Sequence, residues 1–159
     1  MSRFPVWSMM YRLLGDNHML DGLPFSAQVF LRALDGVRNR LASEAGVSVR
    51  ELEALARVAE SAGLRSAALV DYLELSRGAV DSVVDELVRR DLLSNAPDSE
   101  GASILNLTPT GHSLMGAIYD AFQRTINAAA ESLDPDRRQG FESGMLKMAR
   151  KLEAESEKP

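Results

Sequence analysis

The sequence predicts a mostly α-helical protein that contains one small β-hairpin. Apolar residues recur at helical spacing through most of the 159 residues, and capping residues and glycines divide this pattern into separate helices. Two short apolar runs, at residues 92–93 and 104–107, flank a turn-rich segment at residues 97–101. The spacing therefore predicts helices on both sides of a single hairpin.

The composition is that of one ordinary globular domain, with 45% hydrophobic and 26% charged residues. The lack of cysteine excludes disulfides, thiolate zinc sites and thiol-based redox sensing. The sequence has no glycine-rich phosphate loop and no nucleophile elbow, so we expect no enzyme, no metal site and no cofactor. The apolar stretch at residues 4–14 is interrupted by Pro5 and Arg12, and no run reaches membrane-spanning length. We therefore expect a cytoplasmic protein with no membrane contact.

Three amphipathic helices are expected in the first part of the chain. The first, at residues 7–14, carries an apolar face and ends at a glycine. The second is expected at residues 26–45, again followed by a glycine. The third begins with Ser48 and Glu51, whose spacing is that of a capping box, and runs toward Gly63.

The segment from Ser66 to Leu107 carries the functional information. Ser66 is expected to cap a short helix, and Ser76 is expected to cap a second helix a few residues later. Two helices joined so tightly must cross steeply, which is the helix-turn-helix arrangement, and the hairpin that follows is then a wing. The expected apolar stripes are Leu69, Tyr72 and Leu73 on the first helix and Val80, Val83, Val84, Leu87 and Val88 on the second.

Three runs here resemble the pattern of MarR-type winged helix-turn-helix transcriptional regulators: Ser76-Arg77-Gly78-Ala79-Val80 through Leu87, Asp91-Leu92-Leu93, and Leu107-Thr108-Pro109-Thr110-Gly111. The resemblance covers residues 48–133 by order and spacing. The last run is also a good helix start, because Thr108 can cap and Pro109 has a preset helical φ. The resemblance implies a homodimeric DNA-binding regulator, expected to be a repressor, that a small aromatic ligand releases from DNA.

The terminal helices are expected to form the dimer interface. Apolar stripes are expected on two C-terminal helices, the second starting at Asp134 and Pro135, and they present more apolar surface than a small winged domain can cover. A two-fold interface between identical subunits is therefore expected. The chain is expected to form one compact domain with N-terminal dimerisation helices at residues 1–47, the winged helix-turn-helix region at 48–107 and C-terminal dimerisation helices at 108–159.

The second helix of the helix-turn-helix is expected to lie in the DNA major groove. In a dimer, two such helices would meet successive grooves about 34–36 Å apart on a roughly palindromic site. Arg77 is the best candidate for a base contact, as a bidentate partner of guanine, and Asp81 could accept a hydrogen bond from cytosine N4. The expected DNA-binding residues are Ser76, Arg77, Gly78, Asp81, Ser82, Arg89, Arg90 and Arg65.

The charge balance opposes this interpretation. Residues 66–107 hold eight acidic residues against three arginines, a net charge of −5 that equals the net charge of the whole chain. The wing tip, residues 98–103, lacks the basic residue that the family usually carries there, so that family contact cannot be transferred. Either DNA binding is salt-sensitive and rests on a few arginines, or the domain has lost DNA binding and its acidic face binds a basic protein partner.

The family resemblance also implies a site for a small aromatic ligand. In the family such ligands lie between the dimerisation helices and the winged domain. Apolar and aromatic side chains near the N-terminus offer a lining for such a site, although at this helical spacing they also fit a core. The candidate residues are Trp7, Met10, Tyr11, Arg12, Phe25 and Phe30, with His18 and Arg32 as further polar anchors.

Overall fold

Six helices and a three-stranded antiparallel sheet make up the described part of the chain, which confirms the predicted fold class. The computed structural model describes residues 22–99 and 101–156. The chain divides into two compact units, Met1–Val49 and Arg50–Pro159. The three-segment, one-domain organisation expected from the sequence stays a prediction.

The first unit contains helix α1, Gly22–Glu44. The sequence predicted that this helix starts near Ser26, but the helical backbone already includes Pro24. Proline is tolerated there because the N–H groups in the first turn of a helix have no partner within the helix. Gly46 follows with a φ of +68°, a conformation that favours glycine after a helix end. Leu41, Ala42 and Val47 are buried.

The second unit carries the helix-turn-helix, the wing and two long C-terminal helices. In chain order its elements are α2 (Val49–Glu60), β1 (Leu64–Arg65), α3 (Ser66–Leu73), α4 (Arg77–Arg89), β2 (Leu93–Pro97), β3 (Ser103–Leu107), α5 (Pro109–Ala130) and α6 (Pro135–Ser156).

Strand β1 is the element that the sequence did not predict. The sheet order is β1-β3-β2, and β1 consists of only Leu64 and Arg65, paired with Leu105 and Ile104. This strand also corrects the predicted cap, because the residue at the N-cap of α3 is Arg65 and Ser66 is already helical. The extended backbone that pairs with β3 continues directly into the helix, so no separate capping residue intervenes.

The hairpin is the predicted wing, with Leu93 opposite Leu107 and Pro97 opposite Ser103. Its base is buried, since Leu93 and Leu105 are at most 2% exposed. The outer part of β2, from Ser94 to Pro97, is exposed. The wing is therefore anchored at its base and projects toward solvent.

Buried aliphatic side chains from α2, α3, α4 and the sheet form the core of the second unit. Two residues that the sequence placed on apolar stripes are instead exposed: Tyr72 by 49% and Val88 by 38%. Arg57 lies over the ring of Tyr72, 5.4 Å from its centroid, so this tyrosine forms a surface cation–π contact. The fully buried members of the core are Leu55, Leu69, Leu87, Leu93, Leu105, Val58 and Val80.

The start of α5 is built as the sequence predicted. Thr108 is the N-cap, its hydroxyl oxygen accepts a hydrogen bond from Gly111 N at 3.0 Å, and Pro109 occupies the first turn. Asp134 caps α6 in the same way, its carboxylate accepting from Arg137 N at 3.0 Å. Within the described residues, no helix has the length and hydropathy needed to cross a lipid bilayer.

Candidate nucleic-acid interface

Helix α4 presents one exposed polar face along its length. Ser76 caps the helix, its hydroxyl oxygen accepting a hydrogen bond from Ala79 N at 3.4 Å. Val80, Val84 and Leu87 are buried on the opposite face and fix the rotation of the helix. The exposed positions include the five residues that the sequence placed toward the groove: Arg77, Gly78, Asp81, Ser82 and Asp85.

Arg77 is the first residue of this helix and is exposed. Its guanidinium makes no ion pair or hydrogen bond with any residue in the described part of the chain. The next residue, Gly78, has open space where a Cβ would lie, so another molecule can approach the helix backbone closely there. Arg77 is therefore a cation that is available to an external anion.

Ser82 is partly engaged within its own helix. Its hydroxyl donates to the carbonyl oxygen of Gly78 at 2.9 Å, which is a common local hydrogen bond for helical serine. The hydroxyl oxygen still has lone pairs that can accept. Asp81 and Asp85 are exposed on the same face and make it acidic next to Arg77.

The two arginines at the end of α4 are both held by carboxylates. Arg89 donates to Glu86 through Nε at 2.9 Å and through a terminal nitrogen at 2.5 Å. This hydrogen bonding lowers the pKa of Glu86 and raises the pKa of Arg89. Arg90 lies 3.5 Å from Glu51 of α2, and both side chains are mostly buried, at 27% and 12% exposure. Arg90 therefore ties α4 to α2.

The wing tip is organised by Asp98. One of its carboxylate oxygens accepts from Ala102 N at 2.8 Å, and the other accepts from the Arg65 guanidinium at 3.2 Å. The backbone closes the same turn, with Asp98 N donating to Ala102 O at 2.8 Å and Gly101 at a φ of +79°. Arg65, expected to contact DNA, is therefore brought from β1 to the tip of the wing.

The end of α4 and the start of α5 are joined by polar contacts that the sequence did not predict. Asp91 follows α4 with a φ of +55°, and its backbone oxygen accepts from the Thr108 hydroxyl at 2.5 Å. Its carboxylate accepts from the Thr110 hydroxyl at 2.9 Å. These contacts fix where the wing leaves α4. Glu51 and Asp98 hold the candidate DNA-binding residues Arg90 and Arg65. Local spacing gave no sign of these pairs, because the partners lie 39 and 33 residues apart.

Most of the expected ligand-binding set lies outside the described residues, namely Trp7, Met10, Tyr11 and Arg12, together with His18. Of the remainder, Phe25 is half-buried and Phe30 is 38% exposed, both on α1. Within residues 22–99 and 101–156, no group of histidine or acidic side chains has the arrangement of a metal site.

The fold matches solved structures of MarR-family proteins. A point mutant of MepR from Staphylococcus aureus aligns with a TM-score of 0.73 and 14% identity over 83% of this chain and 99% of its own. Another MepR mutant, bound to an oligodeoxyribonucleotide, aligns with a TM-score of 0.64 at 14% identity over the same shares. The Mycobacterium tuberculosis MarR family protein Rv2887, in complex with p-aminosalicylic acid, has a TM-score of 0.65 and 17% identity over 81% of this chain and 99% of its own.

No protein-family model matches the sequence, and no curated protein matches it. At 14–17% identity the structural likeness establishes the winged-helix fold of the MarR family and leaves the activity to be argued from the residues themselves.

Proposed function

We propose that this chain is a MarR-type transcriptional regulator that binds a roughly palindromic double-stranded DNA site as a homodimer in the cytoplasm. The observation that carries the proposal is Arg77, an exposed arginine without a partner in the described residues, at the first position of the second helix of a helix-turn-helix. A groove-bound helix contacts bases with its N-terminal residues, and arginine is the side chain that pairs bidentately with guanine.

The residues of α4 are expected to contribute unequally to DNA binding. Arg77 supplies the base contact, and the open backbone at Gly78 with the Ser76 cap lets this end of α4 approach the DNA. Arg90 is held by Glu51 of α2, so its role is to place the helix. Arg89 pairs with Glu86 within α4, which reduces the charge that it offers to DNA. The binding is therefore expected to be weak in its electrostatic part and sensitive to salt.

The dimer is supported by the exposure of helix α6 in the described part of the chain. Every described side chain from Pro135 to Ala154 except Gly144 is exposed. The stripe of Phe141, Met145, Met148 and Leu152 is 40–65% exposed, and an apolar surface of this kind is costly in water unless another surface covers it. A second copy of the chain is the proposed cover, because an isologous contact matches two identical stripes.

The test of this function is fluorescence anisotropy with labelled DNA from upstream of the chain's own gene. The DNA is compared with a scrambled duplex of the same length and composition over a salt titration. The proposal expects selective binding by a dimer at low salt, with affinity falling as salt rises. Equal affinity for both duplexes at every salt concentration would contradict it.

A repressor released by a small aromatic compound is the finer form of the proposal. It is supported by the complex of Rv2887, which has the same fold, with p-aminosalicylic acid. The test adds p-aminosalicylate to the preformed DNA complex and follows its dissociation. Release at a concentration that leaves the fold unchanged would support an effector site, whereas unchanged binding up to millimolar p-aminosalicylate would count against that compound.

A second candidate function is an interaction module for a basic protein. Its support is the exposure of Asp81 and Asp85 on the face of α4 that would meet DNA, within a segment of net charge −5. A basic partner would be attracted to such a face, whereas DNA is repelled by it. Asp81→Lys with Asp85→Lys tests this candidate, because the variant is expected to lose affinity for a polylysine probe if the acidic face binds basic proteins. Unchanged polylysine binding would contradict it.

A further inference from the structure

The wing has no cation of its own. Residues 93–107 contain Asp98 and Glu100 and no lysine or arginine. A projecting hairpin without positive charge cannot neutralise a phosphate, and each neutralised phosphate contributes about 0.9 to the slope of log affinity against log salt. A wing that neutralises a phosphate therefore needs a cation from another element.

Arg65 reaches the wing from strand β1. Its guanidinium lies 3.2 Å from Asp98, although the two residues are 33 positions apart. Its side chain is 58% exposed, whereas that of Asp98 is 21% exposed. The carboxylate is therefore turned into the hairpin turn, and the arginine remains open to solvent beside it.

Asp98 is fixed independently of Arg65. Its second oxygen accepts from Ala102 N, and its backbone N–H donates to the carbonyl of the same residue, both at 2.8 Å. An anchor held by the turn can restrict a flexible arginine to one place, which reduces the side-chain entropy that the arginine would lose on meeting a phosphate.

We propose that Arg65 is the phosphate-binding cation of the wing and that Asp98 is the residue that positions it. This inference rests on the DNA-binding function proposed above and adds the residue through which the wing acts. Because a phosphate contact carries no base information, it predicts a contribution that is equal for all DNA sequences.

The alternative role for Asp98 is simple neutralisation of Arg65, and it predicts a change of opposite sign. Asp98→Asn removes a negative charge and keeps an oxygen that can accept from Ala102 N. If Asp98 only neutralises Arg65, this variant binds DNA more tightly. If Asp98 positions Arg65, the variant binds less tightly although its net charge is more favourable.

The experiment uses anisotropy to measure the affinity of the full chain for DNA, and the slope of log affinity against log salt. The two duplexes are the upstream DNA that the parent chain binds selectively, called the selected duplex, and a scrambled duplex. Arg65→Ala is expected to lower the slope by about 0.9 per wing, with the same loss on both duplexes, and Arg65→Lys is expected to retain most of it. Asp98→Asn is expected to weaken binding several-fold. Arg124→Ala, which removes the same charge from an exposed position on α5, is the matched control and is expected to change the slope little.

The outcomes separate this inference from the proposed function. If the parent chain binds DNA selectively and Arg65→Ala leaves its salt slope unchanged, the wing role of Arg65 is wrong while the function stands. Tighter binding by Asp98→Asn, or an equal loss from Arg124→Ala, also overturns the inference. If the parent chain shows no selective binding, the proposed function itself fails. Thermal unfolding of each variant ensures that only folded proteins are compared.

Discussion

Gly111, in the first turn of α5, lies so close to Leu92 that a Cβ at this position would come within 2.1 Å of the Leu92 backbone oxygen. The surrounding Asp91 and Thr108 contacts hold the two backbones together where α4 ends and α5 begins. The junction that sets the direction of the wing therefore requires a residue without a side chain.

Gly111→Ala is expected to destabilise the fold by about 1–3 kcal/mol, because the added methyl group meets backbone and not a movable side chain. Gly116→Ala is the matched control on the same helix, since a Cβ there meets nothing within 4 Å. The control is expected to be neutral or to stabilise by up to about 1 kcal/mol through helix propensity. Urea denaturation measures both, and equal stabilities for the two variants would contradict the close approach.

Arg77→Ala is expected to weaken binding to the selected duplex by about 1–3 kcal/mol and to reduce the preference over scrambled DNA, because a bidentate guanine contact carries sequence information. Arg89→Ala on the same helix is the comparison, since Arg89 is already committed to Glu86 and is expected to matter less for selectivity. Anisotropy on both duplexes tests this. A loss from Arg77→Ala that is equal on both duplexes would assign it to a phosphate.

Two charges placed on the α6 stripe are expected to separate the proposed dimer. Met148→Glu with Leu152→Glu buries like charges at a two-fold interface, where desolvation and repulsion oppose association. Arg150→Glu changes charge on the same helix but off the stripe and is the control. Sedimentation velocity over a concentration series measures the result. A dimer that persists in the double variant would place the interface elsewhere.

The pKa of Glu86 is expected to lie below the ordinary value for glutamate, because Arg89 donates hydrogen bonds to its ionised carboxylate. A depressed folded-state pKa means that any stability from this pair is present at neutral pH and is lost as acid protonates Glu86. Carboxyl NMR titration measures this pKa, and Arg89→Ala is expected to raise it, whereas Arg124→Ala is expected to leave it unchanged. An unchanged value in Arg89→Ala would show that the pair does not persist in solution.

In the described residues, the sequence pattern predicted the helices, the caps at Ser76, Thr108 and Asp134, and the exposed face of α4. The helix predicted at residues 7–14 lies outside the described residues. Ser76 and Thr108 act as caps within three residues of their partners, so their role is visible in local spacing. The apolar stripe of α4 likewise depends only on helical periodicity, which is why Arg77 could be identified as exposed. The main error on this level concerned Ser66, where a two-residue strand replaces the cap.

The pairing of Arg65 and Arg90 with carboxylates depends on tertiary packing. Arg90 and Glu51 are 39 residues apart, and Arg65 and Asp98 are 33 apart, so no local pattern connects them. Strand β1 was invisible for the same reason, since two residues become a strand only when β3 lies beside them. Local propensity fixes an element and its faces, but the pairing of charges depends on packing that brings distant segments within a few ångströms. That packing ties Arg90 to α2 and brings Arg65 to the wing.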